Sequence, residues 1–319
     1  MCFDKNFIFG AGTLIVSILE NNPDIYFYFH ICVPDSEKSI VSTSLAKLGD
    51  IYDSKHFALA FYSFEQFKGY DLIVKRVNKR MATQCVRLFL DQISNYHNDT
   101  VLYIDADIVC RKSFSGVFDI SFSDDTIIAA SSSPDFNIDV YGHNVESYFW
   151  SSLMLINLPQ WRKNNVEKKS VEFVIKHKPK YPDQDALNVV LDKKWVPLVN
   201  DCQSFWKVTP ESIFVHYVAS KPWSPWIFGT KLEEINLFRK YAKIFEPNVA
   251  KWISFKKDKQ VLINFSTYSA RFATKWMAKL MFKRHCYKAA IYFYLQHLRV
   301  KIKQKGLLGI ILLRSNTRS

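Results

Sequence analysis

Short apolar runs alternate with stretches of helical spacing along the first 230 residues, and one run, residues 101–104, ends directly in Asp105-Ala106-Asp107. Residues 24–33, Asp-Ile-Tyr-Phe-Tyr-Phe-His-Ile-Cys-Val, are aromatic and β-branched and read as a strand. Residues 57–64, 101–104, 127–130, 153–156 and 213–215 read the same way. Helical patterns lie between them. One runs from Ser36 through Ile40, Val41, Leu45 and Leu48, and one covers 81–92. Another starts near Pro159 and continues through Val166, Val174 and His177, and a last one opens at Asp183 and reaches Leu191. This alternation predicts an α/β chain with parallel strands. Ligands of such sheets sit beyond the carboxyl ends of strands, so charged residues that follow a strand are the candidates for a site.

Composition narrows the classes. At 48% hydrophobic and 16% aromatic residues, the chain is too rich in core formers to be disordered. No apolar run reaches the roughly 18–20 residues of a membrane span. The stretch 7–19 is shorter than that and reads as an amphipathic first helix. The charge is uneven. Residues 231–319 hold 20 Lys/Arg against 4 Asp/Glu, a net +16, whereas residues 1–230 carry a net −3. The shift divides the sequence into a near-neutral domain, 1–230, and a basic extension, 231–319, whose excess charge calls for an anionic partner. The six cysteines contain no Cys-x-x-Cys pair, and their scatter predicts a reducing, cytoplasmic setting.

Three segments could carry chemistry. Asp105 and Asp107 at the rim of a sheet can share one divalent cation. Mg2+ or Mn2+ favours such oxygens and leaves positions open to phosphate. A pair of solvated turn carboxylates, like Asp53 and Asp139, is the other reading. His216-Tyr-Val-Ala-Ser-Lys221-Pro-Trp223 also follows an apolar run. His216 either completes a metal shell or is a hydrogen-bonded rim histidine, and Lys221 can neutralise a phosphate as a point charge. In Pro182-Asp183-Gln184-Asp185, either Asp caps a helix, or Asp183 and Gln184 face a substrate pocket. Phe9-Gly10-Ala-Gly12 lacks the third glycine and the preceding strand of a dinucleotide loop, so its small residues are read as close helix packing.

As an ordered set, these residues resemble glycosyltransferase family 8, the retaining transferases that use nucleotide-activated sugars, and within it the bacterial lipopolysaccharide core glucosyl- and galactosyltransferases. The anchors are Asp4-Lys-Asn6-Phe with Phe9-Gly10, Arg87 in Cys-Val-Arg-Leu, and Leu102-Tyr-Ile-Asp-Ala-Asp-Ile-Val-Cys110. Leu155-Ile-Asn-Leu-Pro-Gln-Trp161, Asp183-Gln-Asp-Ala-Leu-Asn188, and His216-Tyr with Lys221-Pro-Trp223 complete the set. The resemblance implies a Rossmann-like nucleotide-sugar-binding fold of the GT-A type, a mixed sheet with a basic helical C-terminal extension. It implies Mn2+, or Mg2+, on Asp105, Asp107 and His216. Asp4, Asn6 and the segment through Ala106 would contact the nucleotide, Lys221 the diphosphate, and Arg87 the donor site. Asp183 and Gln184 would lie beneath the sugar and assist transfer. The implied reaction moves glucose or galactose from UDP-glucose or UDP-galactose to a lipopolysaccharide core oligosaccharide. The implied enzyme is cytoplasmic and peripheral to the inner face of the bacterial inner membrane.

Four departures accompany the resemblance. Only Met1-Cys2-Phe3 precede Asp4, where the family has an opening strand, which predicts a start that lies upstream or a lost core strand. Phe149-Trp150-Ser151-Ser152 stands where the family has Phe-Asn-x-Gly in its donor-sugar wall. The loop after His216 is one residue short, with Ala219 near an expected glycine, and Asp201 stands where Asn is common. A Trp lacks the hydrogen bonds of an amide, and Ser152 adds bulk. A changed donor preference is expected. The competing expectation is a degenerate member that binds carbohydrate or nucleotide sugar without turnover.

In the tail, Arg271, Lys275, Lys279 and Lys283 recur at steps of four beside Phe272, Trp276 and Leu280. Tyr287, Ile291, Leu295 and Leu298 extend an apolar face. A helix of this kind suits an anionic membrane surface, with the basic stems reaching toward headgroups. Packing on the catalytic domain is the other reading. Nucleic acid is excluded as a partner because no zinc module, recognition-helix signature or RNP motif is present.

Overall fold

Asp4 accepts the Asn6 N–H at 2.9 Å and so caps a 3-10 turn, Lys5–Phe7, from which helix α1 (Ile8–Asn21) starts. The computed structural model describes residues 1–93, 98–198, 202–205, 208–218, 221–223, 226–228, 232–248 and 261–263, with eight helical positions between Ala278 and Leu298. Asp201, Ala219, Arg271, Phe272, Lys275, Trp276, Leu280 and Lys283 lie outside the described residues. Helix α1 is not amphipathic as expected: Gly10 to Leu19 are all buried. Next come β1 (Phe27–Val33), α2 (Asp35–Ala46) and β2 (Phe57–Ser63), the strands pairing in parallel from Phe27↔Phe57 to Val33↔Ser63. Residues 1–3 also run parallel to β1, where Cys32 N donates to Met1 O at 2.9 Å and Phe3 N to Cys32 O at 3.1 Å. The expected helix over 81–92 is divided between α4 (Lys79–Cys85) and a 3-10 segment, Val86–Gln92, with a short α3 (Tyr70–Val74) before it.

Strands β3 (Thr100–Ile104) and β4 (Ile108–Cys110) flank the Asp-x-Asp segment. Then β5 (Ile128–Val140) and β6 (His143–Asn157) form one long antiparallel hairpin, where the sequence reads as two short separate strands. Its two-residue turn places Tyr141 at φ 53° and Gly142 at φ 85°, with Asp139 accepting the Gly142 N–H at 2.6 Å. Positive φ at both turn residues matches the right-handed twist of the strands. The chain continues through α5 (Leu158–Lys163), α6 (Val166–His177), α7 (Pro182–Val190), β7 (Trp195–Pro197), β8 (Gln203–Ser204) and β9 (Phe214–His216). The larger sheet has the order β3-β6-β5-β7, parallel between β5 and β7 alone, and the smaller has β4-β9-β8, parallel between β8 and β9. The sheet is therefore mixed, as the resemblance implies, and not parallel throughout, as alternation alone predicts.

Two compact units divide the chain. One joins Met1–Pro225 with Leu232–Lys259, and the other joins Trp226–Lys231 with Gln260–Ser319. The second contains the parallel pair β10 (Trp226–Phe228) and, later in the chain, β11 (Val261–Ile263). Between them in sequence, α8 (Leu232–Phe245) belongs to the first unit and packs on α1. The charge boundary at 230 thus falls just before a helix that the first core contains. Phe238, Tyr241, Ala242 and Phe245 bury its inner face.

Successive residues of β6 point to opposite faces. Leu153 and Leu155 join Leu14, Ile15 and Phe238 in one apolar cluster, while Met154 and Ile156 join Phe89, Trp161 and Leu187 in the other. With both faces covered, the inner strand segments must be apolar at every position.

Away from the site, Glu167 and Asp91 share a hydrogen bond, and Gln92 donates to Glu167 Oε1 at 2.8 Å. Burial, then the Asp91 contact, pushes the Glu167 carboxyl up to about 7. A carboxyl raised in the fold stabilises it fully below its unfolded value of roughly 4.3, and that contribution is lost as the pH rises toward 7. Glu167→Gln stays neutral and is expected to be more stable than the parent at pH 8 by about 1 kcal/mol, allowing for half exposure. The gain should vanish at pH 4, as urea unfolding at the two pH values will show.

Candidate active site

Two strand pairs deliver the acidic residues. The β3–β6 ladder ends at Ile104↔Leu153, and Asp105 N donates to Ser152 O at 2.9 Å where the chain leaves the sheet. The β4–β9 ladder begins at Ile108↔His216, and Tyr217 N donates to Asp107 O at 3.0 Å. Antiparallel register thereby puts Asp107 beside His216, although 109 positions separate them in the chain.

His216 Nε2 lies 3.1 Å from Asp107 Oδ1, and Lys221 Nζ donates to Asp107 Oδ2. Lys221 is also anchored on Tyr217 O at 2.7 Å and Val218 O at 3.1 Å. Burial alone would raise the Asp107 carboxyl, but His216 and Lys221 outweigh it and hold the group well below the usual carboxylate range. Tyr217 is fixed in turn by donating its hydroxyl to Glu234 O at 2.6 Å, so α8 supports this corner.

The start of α1 closes on the same place. A Cβ added at Gly10 would come within 2.4 Å of both Ala106 O and the Trp223 ring. Phe7 meets Trp223 edge-on at 5.7 Å, and Lys221 Nζ lies 5.8 Å above the Phe7 ring. The turn carrying Asp4 and Asn6 thus leads directly into the surroundings of Ala106, Lys221 and Trp223. Close packing is the reason for both glycines, since a Cβ at Gly12 would lie 2.4 Å from the Phe245 ring. At Gly10 the obstacle includes backbone, which cannot rotate away. Gly10→Ala is expected to cost about 1–3 kcal/mol by overpacking. It should also displace the Asp-x-Asp segment, and thermal melts will check the loss of stability.

Arg87 organises the other half. It is 6% exposed and donates through Nη2 to Asp105 Oδ1 at 2.9 Å and through Nη1 to Ser151 O at 2.7 Å and Ser151 Oγ at 3.1 Å. Its Nε lies 3.1 Å from Asp183 Oδ2, and its guanidinium is 4.6 Å from the Tyr103 ring centre. Burial works against the charge, but Asp105 and Asp183 keep the guanidinium firmly protonated. Asp105 Oδ1 also accepts the Tyr103 hydroxyl at 2.7 Å. Burial lifts the Asp105 carboxyl above its ordinary value against the pull of Arg87.

Asp183 is not a cap. Its Oδ2 accepts the Ser151 hydroxyl at 3.1 Å. The local bond at the helix start belongs to Asp185, which accepts the Tyr181 N–H at 3.2 Å and the Tyr148 hydroxyl at 2.6 Å. Gln184 is half-buried beside Asp183 and contacts Ser151 N and the Tyr148 hydroxyl, each at 3.4 Å. Asp53 and Asp139 accept neighbouring backbone N–H groups, as turn carboxylates do.

Four site residues escaped sequence reasoning: Tyr103, Ser151, Tyr148 and Gln203. Tyr103 sits inside the Asp-x-Asp segment, and its β-alternation relative to Asp105 was a usable signal. Ser151 was visible only inside the Phe149-Trp150-Ser151-Ser152 departure, and its importance comes from contacts with Arg87 and Asp183.

One oxygen each from Asp105 and Asp107 and a ring nitrogen of His216 lie within 4.8 Å of one another, the one such grouping of three among the described residues. Two carboxylates and an imidazole fit a divalent cation.

Residues 1–227 match the sequence model of glycosyl transferase family 8. The chain belongs to glycosyl transferase family 8. Among its relatives is the lipopolysaccharide 1,3-galactosyltransferase of Salmonella typhimurium, 29% identical over 256 residues, covering 70% of this chain and 72% of that one. The lipopolysaccharide glucosyltransferase WaaO of Escherichia coli is 28% identical over 332 residues, covering 94% of this chain and 89% of that one. The galactosyltransferase LgtC, solved with donor and acceptor sugar analogues, superposes with a TM-score of 0.58 at 20% identity, covering 80% of this chain and 96% of that one. This likeness concerns the fold, which is of the expected GT-A type.

Within the family 8 frame, the altered wall can be traced. Trp150 packs 4.9 Å from the Phe205 ring, which lies 5.4 Å from His216. Ser152 Oγ accepts a hydrogen bond from Gln203 at 2.9 Å. Both departures therefore reach toward His216 through the segment at β8.

Proposed function

We propose that this family 8 member is a metal-dependent, retaining hexosyltransferase. It would move glucose or galactose from a UDP-sugar to a lipopolysaccharide core oligosaccharide. What carries the reading is the convergence of Asp105, Asp107, His216 and Lys221 on one side of Ser151 and Arg87, with Asp183 and Gln184 on the other. A cation held by Asp105, Asp107 and His216 supplies positive charge where a diphosphate leaving group becomes negative. Lys221 adds a point charge at the same place. Asp4 and Asn6 contact the nucleotide, on the segment that packs against Ala106. Asp183 and Gln184 present oxygens to the sugar, whose anomeric carbon becomes electron-poor during transfer. Arg87 holds Asp105 and Asp183 in fixed relation.

The acceptor class follows the relatives, which are named for lipopolysaccharide. The enzyme works in the cytoplasm at the inner face of the inner membrane, held there by its basic extension. No helix among the described residues is long and apolar enough to cross a membrane. In the extension, Phe282, Tyr287, Ile291, Tyr294 and Leu295 are helical and each more than half exposed. Exposed aromatics beside a net +16 suit an anionic surface. The full chain is expected to sediment with vesicles containing phosphatidylglycerol and to stay in solution with phosphatidylcholine alone, and salt should release it.

The deciding experiment is a screen of Mn2+-dependent UDP release across nucleotide sugars, with and without a truncated core acceptor. Acceptor-stimulated release from UDP-glucose or UDP-galactose supports the proposal. Binding of a nucleotide sugar without release or transfer identifies a degenerate, carbohydrate-binding member instead.

A further inference from the structure

Residues 1–3 lie beside β1 and lead directly into the turn of Asp4 and Asn6. Strand alternation sorts their side chains between two faces. Met1 and Phe3 join the apolar cluster that holds Ile31 and Val33. Cys2 joins the other cluster, with Tyr62, Tyr70, Phe89 and Tyr103, and Cys32 of β1 joins that cluster too. Cys2 and Cys32 are also direct partners in the parallel bridge between the two segments. Face and register together set two free thiols side by side, and the thiols are hydrogen-bond neighbours.

This placement meets the demand of a disulfide. Neighbouring strands lie about 4.8 Å apart, inside the range of about 4.4–6.8 Å between Cα atoms that a disulfide joins. The other described cysteines are placed differently. Cys110 opposes Phe214 across its ladder, and its thiol donates to Lys112 O at 3.0 Å. Cys85 shares the cluster of Cys2 and Cys32 but ends α4, so no strand register aligns it with either. Exposure orders the pair. Cys2 is 9% exposed and Cys32 is 0% exposed, so an oxidant meets Cys2 first. In the reducing setting that the scattered cysteines predict, a disulfide is transient and redox-sensing.

We propose that Cys2 and Cys32 form a reversible oxidation site, a thiol pair that hydrogen peroxide converts to a disulfide stapling the first segment to β1. The Cys2 sulfur attacks one peroxide oxygen, the O–O bond breaks, and the other oxygen leaves as water with the thiol proton. Cys2 is then a sulfenic acid. The Cys32 sulfur attacks the Cys2 sulfur, the S–O bond breaks, and the hydroxyl leaves as a second water with the Cys32 proton. Two thiols are oxidised and one peroxide is reduced. A dithiol reverses the step by exchange and becomes a disulfide itself. The bond closes a loop that contains the Asp4 turn and all of α1. It reinforces a segment that main-chain bonds hold to β1, Cys32 N to Met1 O and Phe3 N to Cys32 O. The site rests on sulfur chemistry and register, independently of the transferase reading.

The test treats the full chain with hydrogen peroxide, alkylates the remaining thiols in denaturant, and maps tryptic peptides by mass spectrometry. A cross-link between the Cys2 and Cys32 peptides is expected, forming at least roughly tenfold faster than the Cys110 or Cys202 thiol is lost. Dithiothreitol should restore both thiols. The oxidised chain should melt roughly 3–8 °C above the reduced chain. Cys2→Ser and Cys32→Ser should each abolish that rise, and Cys85→Ser should keep it. If Cys32→Ser does not fold, Cys2→Ser at the more exposed position decides. A link from Cys2 to Cys85, oxidation of Cys2 to the sulfinic acid without a link, or no reaction in the folded chain overturns the proposal. Each of these results leaves the transferase reading untouched.

Discussion

Arg87→Met is expected to be the most damaging single substitution in the site, lowering stability by about 3–5 kcal/mol because the buried Asp183 and the half-buried Asp105 lose their shared counter-ion. The guanidinium bridges Asp105 at the end of β3, Asp183 in the first turn of α7, and Ser151 on β6. Those elements come from three parts of the chain, and Arg87 itself comes from a fourth. Methionine replaces the aliphatic stem of Arg87 but not the guanidinium, and offers no donor. Lysine should rescue little, because one ammonium cannot reach Asp105, Asp183 and the Ser151 carbonyl together in the planar spread a guanidinium spans. The deficit should depend on pH. Without Arg87, burial of Asp105 favours its protonated form still more than in the parent, so the variant regains stability as the pH falls toward the carboxylate range. Urea unfolding from pH 7 to pH 4.5 will show the gap between variant and parent closing. A gap that stays constant would mean that packing, not charge, is what Arg87 contributes. Transfer activity should be lost in Arg87→Met and Arg87→Lys alike, since both release Asp105.

What the sequence made legible follows from what side chains do locally. An apolar strand ending in Asp-x-Asp marks itself, because the change from buried to ionised happens within one residue. Helix starts at Asp35, Leu158 and Pro182 were readable for the same reason, as Pro and acidic residues favour the first turn. The long hairpin was not readable. Its distal half runs Ser, Ser, Ser, Pro, Asp on one strand and His, Asn, Val, Glu, Ser on the other, so only the inner, doubly covered ends showed an apolar run. Helix α1 misled in the opposite sense, because burial from both α8 and the sheet erases the polar face that amphipathicity needs. Within the site, Asp105, Asp107, His216 and Lys221 were found by type and position. Ser151 and Gln203 were not, because a serine and a glutamine gain meaning only from the residues that register places against them. The wall departures at Trp150 and Ser152 were visible as differences, but their common direction toward His216 needed the β8 segment between them.

Asp107→Asn should reduce transfer by on the order of a thousandfold and also destabilise the fold, whereas Asp105→Asn should lose comparable activity and spare the fold. The difference comes from how each carboxylate is engaged. At Asp105 a single oxygen, Oδ1, accepts from both Arg87 and Tyr103, so an asparagine can keep both bonds with its carbonyl oxygen. At Asp107 the two oxygens are divided, Oδ1 facing His216 Nε2 and Oδ2 accepting from Lys221. An asparagine keeps one oxygen for Lys221 but brings no charge, and losing that charge-assisted bond beside His216 costs about 1–3 kcal/mol. The parent carries a matching signature in pH. The Asp107 carboxyl is held well below its unfolded range, so its stabilising contribution is present above roughly pH 4 and persists until the pH falls through the lowered value. Asp107→Asn lacks that term, so it should trail the parent at neutral pH and draw level in strong acid. Equal unfolding midpoints for the two asparagine variants at pH 7 would refute the divided-oxygen account. Full transfer activity in either variant would refute the assignment of the pair as cation ligands.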